Sequence, residues 1–397
     1  MQAEINIGML GHVDHGKTTL TKALTGKWTD THSEELKRGI SIRLGYADAI
    51  IYKCPKCGLA TLKQECEKCK TKTEVKRKIS IVDAPGHETL MTTVIAGASI
   101  LDAALFLIAA NEPCPQPQTV EHMIVLNTTG IKNIIVVQTK VDLVSKEKAL
   151  EHYRNIREFL KGTVAENAPI IPVAANLGVN IDALVQKIEE VMPTPKRDDA
   201  SPLRMYISRS FDINLPGTKI DDLKGGVVGG SIVSGKLNEG DEIEISPGVP
   251  RKEGALPEKI ITKAESLREE TEVLKEAKPG GLIAVCTGID PALAKSDGLV
   301  GNVLGKKGEV PEPTSEITIQ YEMLKRPDME NPPLKETEII VANIHTYTGI
   351  GVIKNLKKGT ATIKLKRPAV VYPDMNIALS RKIGQRWRLA AWGKIKS

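Results

Sequence analysis

Apolar residues in the first 195 positions come in short unbroken runs, separated by segments with helical spacing. The runs are Ile5–Leu10, Ile79–Val82, Ala103–Ile108, Ile134–Val137 and Ile170–Val173. Runs without polar alternation are typical of parallel strands buried on both faces. The segments between them predict helices at Thr89–Ser99, Gln118–Asn127, Lys146–Leu160 and Ile181–Val191. This alternation predicts an α/β domain with a doubly wound parallel sheet, whose ligands bind at the carboxyl ends of the strands.

The pattern changes after Leu203, where short β-prone runs recur between glycines. These runs are Val227–Val233, Glu242–Ile245, Leu282–Val285, Ile317–Tyr321, Ile339–Ile344 and Thr360–Leu365. Frequent turns with few helical patterns predict β-barrels or sandwiches. Prolines mark a linker near residue 195 and a second boundary near residue 311. We therefore expect a first domain at 1–195 and two all-β domains, at 202–310 and 314–397.

Composition narrows the class of protein. The 397 residues are 41% hydrophobic and 26% charged, which is typical of an ordinary globular protein with two to three domains. The longest apolar stretch, from Ala103 to Ala110, is far shorter than a membrane span. No basic region followed by an apolar one opens the chain, so we expect a cytoplasmic protein without a membrane partner. The net charge of +6 fits either ordinary solubility or a polyanionic partner.

The first motif with chemical content lies between the first predicted strand and a predicted helix. It reads Gly11-His12-Val13-Asp14-His15-Gly16-Lys17-Thr18 and satisfies the phosphate-loop pattern. Its glycines let the backbone bend so that successive amides can point at an anion. Lys17 is expected to reach the outer phosphates and to act in catalysis, and the Thr18 hydroxyl to bind Mg²⁺. The expected nucleotide contacts are Asp14, His15, Gly16, Lys17, Thr18 and Thr19.

A second motif, Asp83-Ala84-Pro85-Gly86-His87, follows the run Ile79–Val82. A carboxylate at this strand end can hold Mg²⁺, and the Gly86 amide can bond the terminal phosphate, which makes the loop sensitive to hydrolysis. His87 is the candidate for orienting the attacking water. A purely structural histidine is the alternative interpretation.

The third motif is Thr139-Lys140-Val141-Asp142, after the run Ile134–Val137. The carboxylate of Asp142 can accept hydrogen bonds from N1–H and the 2-amino group of guanine, and adenine offers neither in that arrangement. Lys140 is expected to cover the base plane with its aliphatic stem. The three motifs together predict a protein that binds GTP in preference to ATP.

Two cysteine pairs lie between the first and second motifs. They are Cys54-x2-Cys57 and Cys66-x2-Cys69, within an insertion at 52–73. Two such knuckles supply the four thiolates of a tetrahedral zinc site, the alternatives being redox pairs or unligated cysteines. The insertion is rich in lysine, which indicates either a solvated surface or contact with RNA or an acidic partner.

The three motifs, in this order and wording, resemble those of the translational GTPases. The resemblance implies a phosphate-loop GTPase domain followed by two β-barrels. The segment Ser33–Ser41 resembles the first switch loop, in which Ser41 replaces the usual threonine that binds Mg²⁺. The last base-contacting loop is implied at Ala174, Ala175 and Asn176.

Two further departures from the family pattern concern the base site. Thr139 stands where the family has an asparagine that contacts the base and braces the phosphate loop, and Ala174 lacks the usual serine hydroxyl. We expect these changes to affect nucleotide affinity more than nucleotide identity.

The cysteine insertion and the segment Ala109–Thr119 resemble the archaeal initiation-factor branch of this family. In that branch a second Mg²⁺ is associated with the positions matching Asp14 and the Gly39 carbonyl. The resemblance implies a GTP-dependent switch that binds GTP or GDP, magnesium and zinc. Its implied partners are initiator methionyl-tRNA, alpha and beta subunits of the same factor, and the small ribosomal subunit. The alternatives are another aminoacyl-tRNA carrier, such as the selenocysteine-specific elongation factor, and a metabolic GTPase such as the GTPase subunit of ATP sulfurylase.

Overall fold

The fold was analysed in a computed structural model of the chain. It describes residues 1–29, 44–85, 91–250, 255–270, 272–326, 329–373, 375–384 and 386–396. The chain divides into two compact units. One comprises Ala3–Val94 and Leu101–Pro195, and the other comprises Met1–Gln2, Ile95–Ile100 and Lys196–Ser397.

The first half of the chain contains a seven-stranded sheet in the order β3-β2-β4-β1-β5-β6-β7. Its strands are β1 Asn6–Gly11, β2 Gly45–Lys53, β3 Ala60–Thr61, β4 Glu74–Asp83, β5 Ala103–Ala109, β6 Asn133–Thr139 and β7 Ile170–Pro172. The helices are α1 Lys17–Thr25, α2 Met91–Ala98, α3 Pro117–Thr129, α4 Lys146–Leu160 and α5 Ile181–Val191. Strands β1, β4, β5, β6 and β7 are parallel, so their carboxyl ends share one edge of the sheet. Their apolar runs form the core because both faces are covered.

The sheet is mixed rather than wholly parallel, which corrects one detail of the sequence prediction. Strand β2 runs antiparallel to β4, with Gly45 opposite Asp83, and β3 is antiparallel to β2. No helical crossover separates β2 from β4, and strands joined without one pair antiparallel. Strand β2 alternates buried and exposed positions because it lies near the edge, so it lacks the unbroken apolar run that indicated its neighbours.

Two β-barrels follow in the second half of the chain. The strands of the first closed barrel are β8 Arg204–Phe211, β9 Val227–Ser234, β11 Glu242–Pro250, β12 Pro257–Glu269, β15 Ile283–Thr287 and β16 Val303–Lys306. Pairing of β11 with β12 closes this barrel. Short strands β10 Leu237–Asn238 and β14 Glu276–Ala277 pair with each other, β13 Glu272–Leu274 extends β12, and a short helix, α6, spans Pro291–Ala294.

The second barrel closes in the order β17-β20-β19-β18-β21-β22. Its strands are β17 Thr314–Met323, β18 Ile339–Ile344, β19 Tyr347–Lys357, β20 Thr360–Ala369, β21 Asn376–Ile383 and β22 Arg386–Ile395. The Tyr206 ring of the first barrel stacks on the His345 ring of the second, with centroids 4.8 Å apart. The predicted fold class, a doubly wound phosphate-loop domain followed by two β-barrels, is confirmed. In the part of the chain that the structure describes, no helix is long and apolar enough to cross a membrane.

Candidate nucleotide and metal sites

The phosphate loop joins the end of β1 to the start of α1. Gly11 has a φ of 145°, and a Cβ there would lie 2.4 Å from the Leu107 carbonyl oxygen, so only glycine fits. Gly16 precedes α1 with a φ of 83°, and its carbonyl accepts the Leu20 amide at 2.9 Å. The first amides of α1 have no carbonyl one turn earlier within the helix. This helix terminus therefore supplies donors and a positive dipole end for an anion.

Lys17 lies across the loop that precedes it. Its Nζ donates to the carbonyl oxygens of Gly11 at 3.0 Å and His12 at 2.7 Å, and the residue is only 7% exposed. The ammonium group is therefore held at the loop by backbone oxygens. Asp14 lies at the exposed tip of the loop in a left-handed conformation, with a φ of 60°.

A buried carboxylate joins the predicted metal ligands. Asp83 ends β4, in register with Met9 of β1, and its Oδ2 accepts hydrogen bonds from Thr18 Oγ1 at 2.8 Å and Thr29 Oγ1 at 2.7 Å. The structure thus brings together Thr18 and Asp83, as a magnesium site requires, and the oxygen-only donor set suits that ion. Thr29 was not identified from the sequence, because nothing in its local pattern points to β4.

Several predicted site residues lie outside the described part of the chain. Ser41 and Gly39 fall within 30–43, and Gly86 and His87 fall within 86–90. Their roles stay predictions. The last described residues before these two segments are Thr29 and Pro85.

The base-binding motifs lie at the same edge of the sheet. Thr139 ends β6, and Lys140 has a φ of 56° and begins the turn that carries the exposed Asp142. Ala174 follows β7, where its carbonyl accepts the Val179 amide at 3.1 Å. Ala175 and Asn176 form the next turn. Parallel strands end together, which explains why motifs far apart in sequence converge here.

Thr139 braces the phosphate loop. Its Oγ1 donates to the His15 carbonyl oxygen at 2.7 Å, and the residue is 2% exposed. The short hydroxyl therefore makes a contact with the loop, although the family asparagine is longer. Contact between this residue and the base stays a prediction.

We expect Thr139→Val to weaken nucleotide binding about fivefold, because a hydrogen bond of about 1 kcal/mol to the loop is lost. Thr139→Ser keeps the hydroxyl and serves as the matched control. Titration with a fluorescent guanine nucleotide measures both. Equal affinities for the valine variant and the native chain would show that the brace does not affect binding.

Two buried histidines, one in the phosphate loop and one in α3, hold this loop by hydrogen bonds to the backbone. The sequence pattern did not indicate this role. His122 of α3 accepts the Gly11 amide on Nδ1 at 2.8 Å. His15 Nδ1 donates to the Leu107 carbonyl at 2.9 Å, and its Nε2 lies 3.3 Å from Glu112 Oε2. Burial is the largest effect on this ring and lowers the pKa of His15 to about 3, although the hydrogen bond to the Leu107 carbonyl opposes it. Burial also lowers the pKa of His122 well below its usual value.

The His122 contact predicts a pH dependence of stability. The folded pKa is lower than the unfolded value of about 6.5, so the unfolded chain binds the proton first and stability falls as the pH drops below about 6.5. We expect this group to remove on the order of 1 kcal/mol between pH 7.5 and pH 5.5. His122→Phe should lower stability by about 1–3 kcal/mol at neutral pH and show a smaller acid-induced drop. Thermal unfolding of both proteins across this range is the measurement. An identical drop in the variant would exclude His122 as the source.

The four insertion cysteines form one cluster. Their Sγ atoms all lie within 4.8 Å of one another, with Cys57 and Cys66 sulfurs 3.6 Å apart. A tetrahedral zinc with bonds of about 2.3 Å places its sulfurs about 3.8 Å apart, so the cluster can hold this ion. A hydrogen bond from the Cys57 amide lowers the pKa of Cys54 to about 7, which favours the thiolate that a metal needs. A hydrogen bond with Cys57 raises the pKa of Cys69 to about 12, and a bound cation would oppose this effect.

Comparison with known proteins relates this chain to two sequence families. Residues 2–194 match the family described as the elongation factor Tu GTP binding domain, and residues 315–395 match initiation factor eIF2 gamma, C terminal. The chain is 54% identical over 405 residues to translation initiation factor 2 subunit gamma of Methanococcus aeolicus, covering 100% of this chain and 99% of that protein. The Pyrococcus horikoshii protein of the same name is 53% identical over 402 residues, with coverages of 100% and 98%. Among solved structures, bacterial selenocysteine-specific elongation factor EF-Sec is similar, with a TM-score of 0.75 and 26% identity. That match covers 99% of this chain and 58% of EF-Sec.

Proposed function

Since this chain belongs to the family of translation initiation factor 2 gamma subunits, we propose that it carries initiator methionyl-tRNA to the small ribosomal subunit. Membership makes it a GTP-dependent translation initiation factor that binds GTP and GDP and hydrolyses GTP. The proposal adds the cargo, the destination and the assembly with alpha and beta subunits. Full-length identity of 54% to a named gamma subunit is the observation that carries it.

For GTP binding and hydrolysis, we assign roles to the residues that converge at the carboxyl edge of the sheet. Asp142 selects guanine, the turn Ala174–Asn176 flanks the base, and the loop from Asp14 to Thr19 binds the phosphates. Magnesium, held by Thr18 and Asp83 with Ser41, would neutralise phosphate charge during hydrolysis; a second ion is assigned to Asp14 and Gly39. Lys17 stabilises charge on the outer phosphates, Gly86 senses the terminal phosphate, and His87 orients water.

Thr29 connects the predicted first switch loop to the predicted magnesium ligand Asp83. It is the last described residue before 30–43, and its hydroxyl bonds the same oxygen of Asp83 that binds Thr18. A change in the ligands of Asp83 would therefore change its hydrogen bond with Thr29. We assign the first switch loop to Ser33–Ser41, and zinc to the four cysteines of the insertion at 52–73.

A cavity of about 450 Å³ in the first barrel supports the aminoacyl-tRNA assignment. Its wall combines apolar Phe211, Ile213 and Val227 with charged residues of both signs, Lys224, Arg268, Glu265 and Glu270. Phe211 and Ile213 are 37% and 40% exposed, and exposed apolar side chains in a concave site indicate a ligand surface. The apolar part of this lining suits a methionyl side chain. We place the aminoacyl end of the tRNA here.

The proposal also covers the domain boundaries of the chain and its cellular location. We assign the GTP-binding domain to 1–195 and the barrels to 202–310 and 314–397, in a cytoplasmic protein. EF-Sec has the same fold, and its 26% identity is well below the 54% of the named gamma subunit, so the initiation role is preferred over a related carrier.

The deciding experiment measures protection of the aminoacyl bond of initiator methionyl-tRNA against spontaneous hydrolysis. It is run with a Mg-GTP analogue and with Mg-GDP, with and without an alpha-type subunit. Elongator methionyl-tRNA is the control. We expect protection that depends on GTP and is confined to the initiator. No protection under any condition, from protein shown to bind GTP, would overturn the proposal in favour of a metabolic GTPase.

A further inference from the structure

The cysteine insertion is built from two knuckles with matching backbones. In each, the amide of the fifth residue donates to the carbonyl of the first cysteine: Gly58 to Cys54 at 2.9 Å, and Lys70 to Cys66 at 2.8 Å. Both fifth residues have left-handed backbones, with φ of 74° at Gly58 and 52° at Lys70. The knuckles are therefore equivalent, and their differences in side chains can be compared position by position.

Lys70 stands where the matching knuckle has glycine. A residue with a Cβ is disfavoured in this conformation, whereas glycine adopts it freely. Local backbone preference therefore selects against this lysine. Strain held at a defined position points to a use for the side chain.

Two more lysines occupy matching positions. Lys56 and Lys68 each precede the second cysteine of a pair, and all three knuckle lysines (Lys56, Lys68 and Lys70) are exposed. Each adjoins a cysteine whose sulfur belongs to the 4.8 Å cluster, so the backbones of the three lysines lie around one point. In the described ranges none of the three forms an ion pair, whereas Lys63 of the same insertion pairs with Glu67, a carboxylate that also lies within electrostatic range of Lys70.

The composition of the insertion favours a nucleic-acid partner over a protein. Residues 52–73 contain six lysines and two glutamates. Lysine is depleted in protein–protein interfaces, but it is the common partner of nucleic-acid phosphates. We propose that the knuckle lysines bind the phosphate backbone of RNA. The knuckle lysines are not among the residues assigned to the nucleotide site or to the cavity lining, and the proposal rests on the proposed function for its RNA partners.

Binding of the full-length chain to purified small ribosomal subunits, and separately to initiator tRNA, tests the proposal over a range of KCl concentrations. The triple variant Lys56→Ala, Lys68→Ala, Lys70→Gly should bind one of these RNAs about tenfold more weakly. It should also reduce the slope of log Kobs against log salt by about 2 to 3, because each lost phosphate contact removes about 0.7–0.9. The affected RNA identifies the source of the phosphates.

Two single variants keep the test independent of folding. Lys70→Gly suits the backbone, so it should retain zinc content and thermal stability while still reducing the salt slope. Lys63→Ala removes the same charge from a paired lysine and should leave the slope unchanged. An unchanged slope for the triple variant with both RNAs overturns the proposal, as does weaker binding without a change in slope. The aminoacyl-protection assay on the native protein tests the proposed function by itself. Its failure can therefore be told apart from a failure of the lysine–RNA contact.

Discussion

Asp142→Asn is expected to lower the affinity for GTP by about 10²–10⁴-fold. The carboxylate offers two charge-assisted hydrogen bonds to guanine, each of about 1.5–3 kcal/mol, and an amide cannot accept both. The residue lies exposed on the turn after β6, at the shared carboxyl edge of the parallel strands. Xanthosine triphosphate should gain affinity, because its 2-carbonyl oxygen accepts from the new amide. Competition of unlabelled nucleotides against a fluorescent guanine nucleotide measures these constants.

The matched control is Asp182→Asn, which makes the same change at another exposed aspartate, in the first turn of α5. It should leave nucleotide affinity unchanged within about twofold, since a single exposed charge contributes little. If Asp142→Asn keeps the native preference for GTP over ATP, another residue reads the base and the assignment of Asp142 is wrong.

Cys66→Ser is expected to weaken zinc binding by about 10²–10³-fold. Structural zinc contributes about 10–16 kcal/mol over four ligands, and a neutral hydroxyl replaces one thiolate. Cys66 is 4% exposed and its sulfur lies 3.6 Å from that of Cys57. The serine would therefore be buried in the cluster. The insertion should become sensitive to proteases. Guanine nucleotide affinity should persist, because the nucleotide motifs lie on other segments of the sheet.

Zinc content after dialysis against a chelator, together with limited proteolysis, measures this effect. Cys114→Ser is the control, because Cys114 is a free cysteine outside the cluster. It should retain one zinc per chain. A native zinc affinity in Cys66→Ser would show that the cluster does not act as a four-thiolate site.

Sequence pattern alone located the regular elements with the strongest periodicity. Helices α4 and α5 begin and end at the predicted residues, since their apolar spacing and boundary residues are local signals. The buried parallel strands were recognised for the same reason. The order of the nucleotide motifs and the spacing of the four cysteines also required no tertiary information, because each motif is contiguous and follows an identifiable strand.

Only the tertiary structure decided which distant residues meet. Strand β2 joins the sheet antiparallel as a partner of β4, which depends on pairing between segments rather than on its own pattern. His122 accepts the Gly11 amide, Thr29 reaches Asp83, and the Thr139 hydroxyl holds the His15 carbonyl. Each contact depends on strand register and on helix packing over the sheet. A single buried hydrogen bond of this kind leaves no periodic signal in the sequence, so local spacing cannot reveal it.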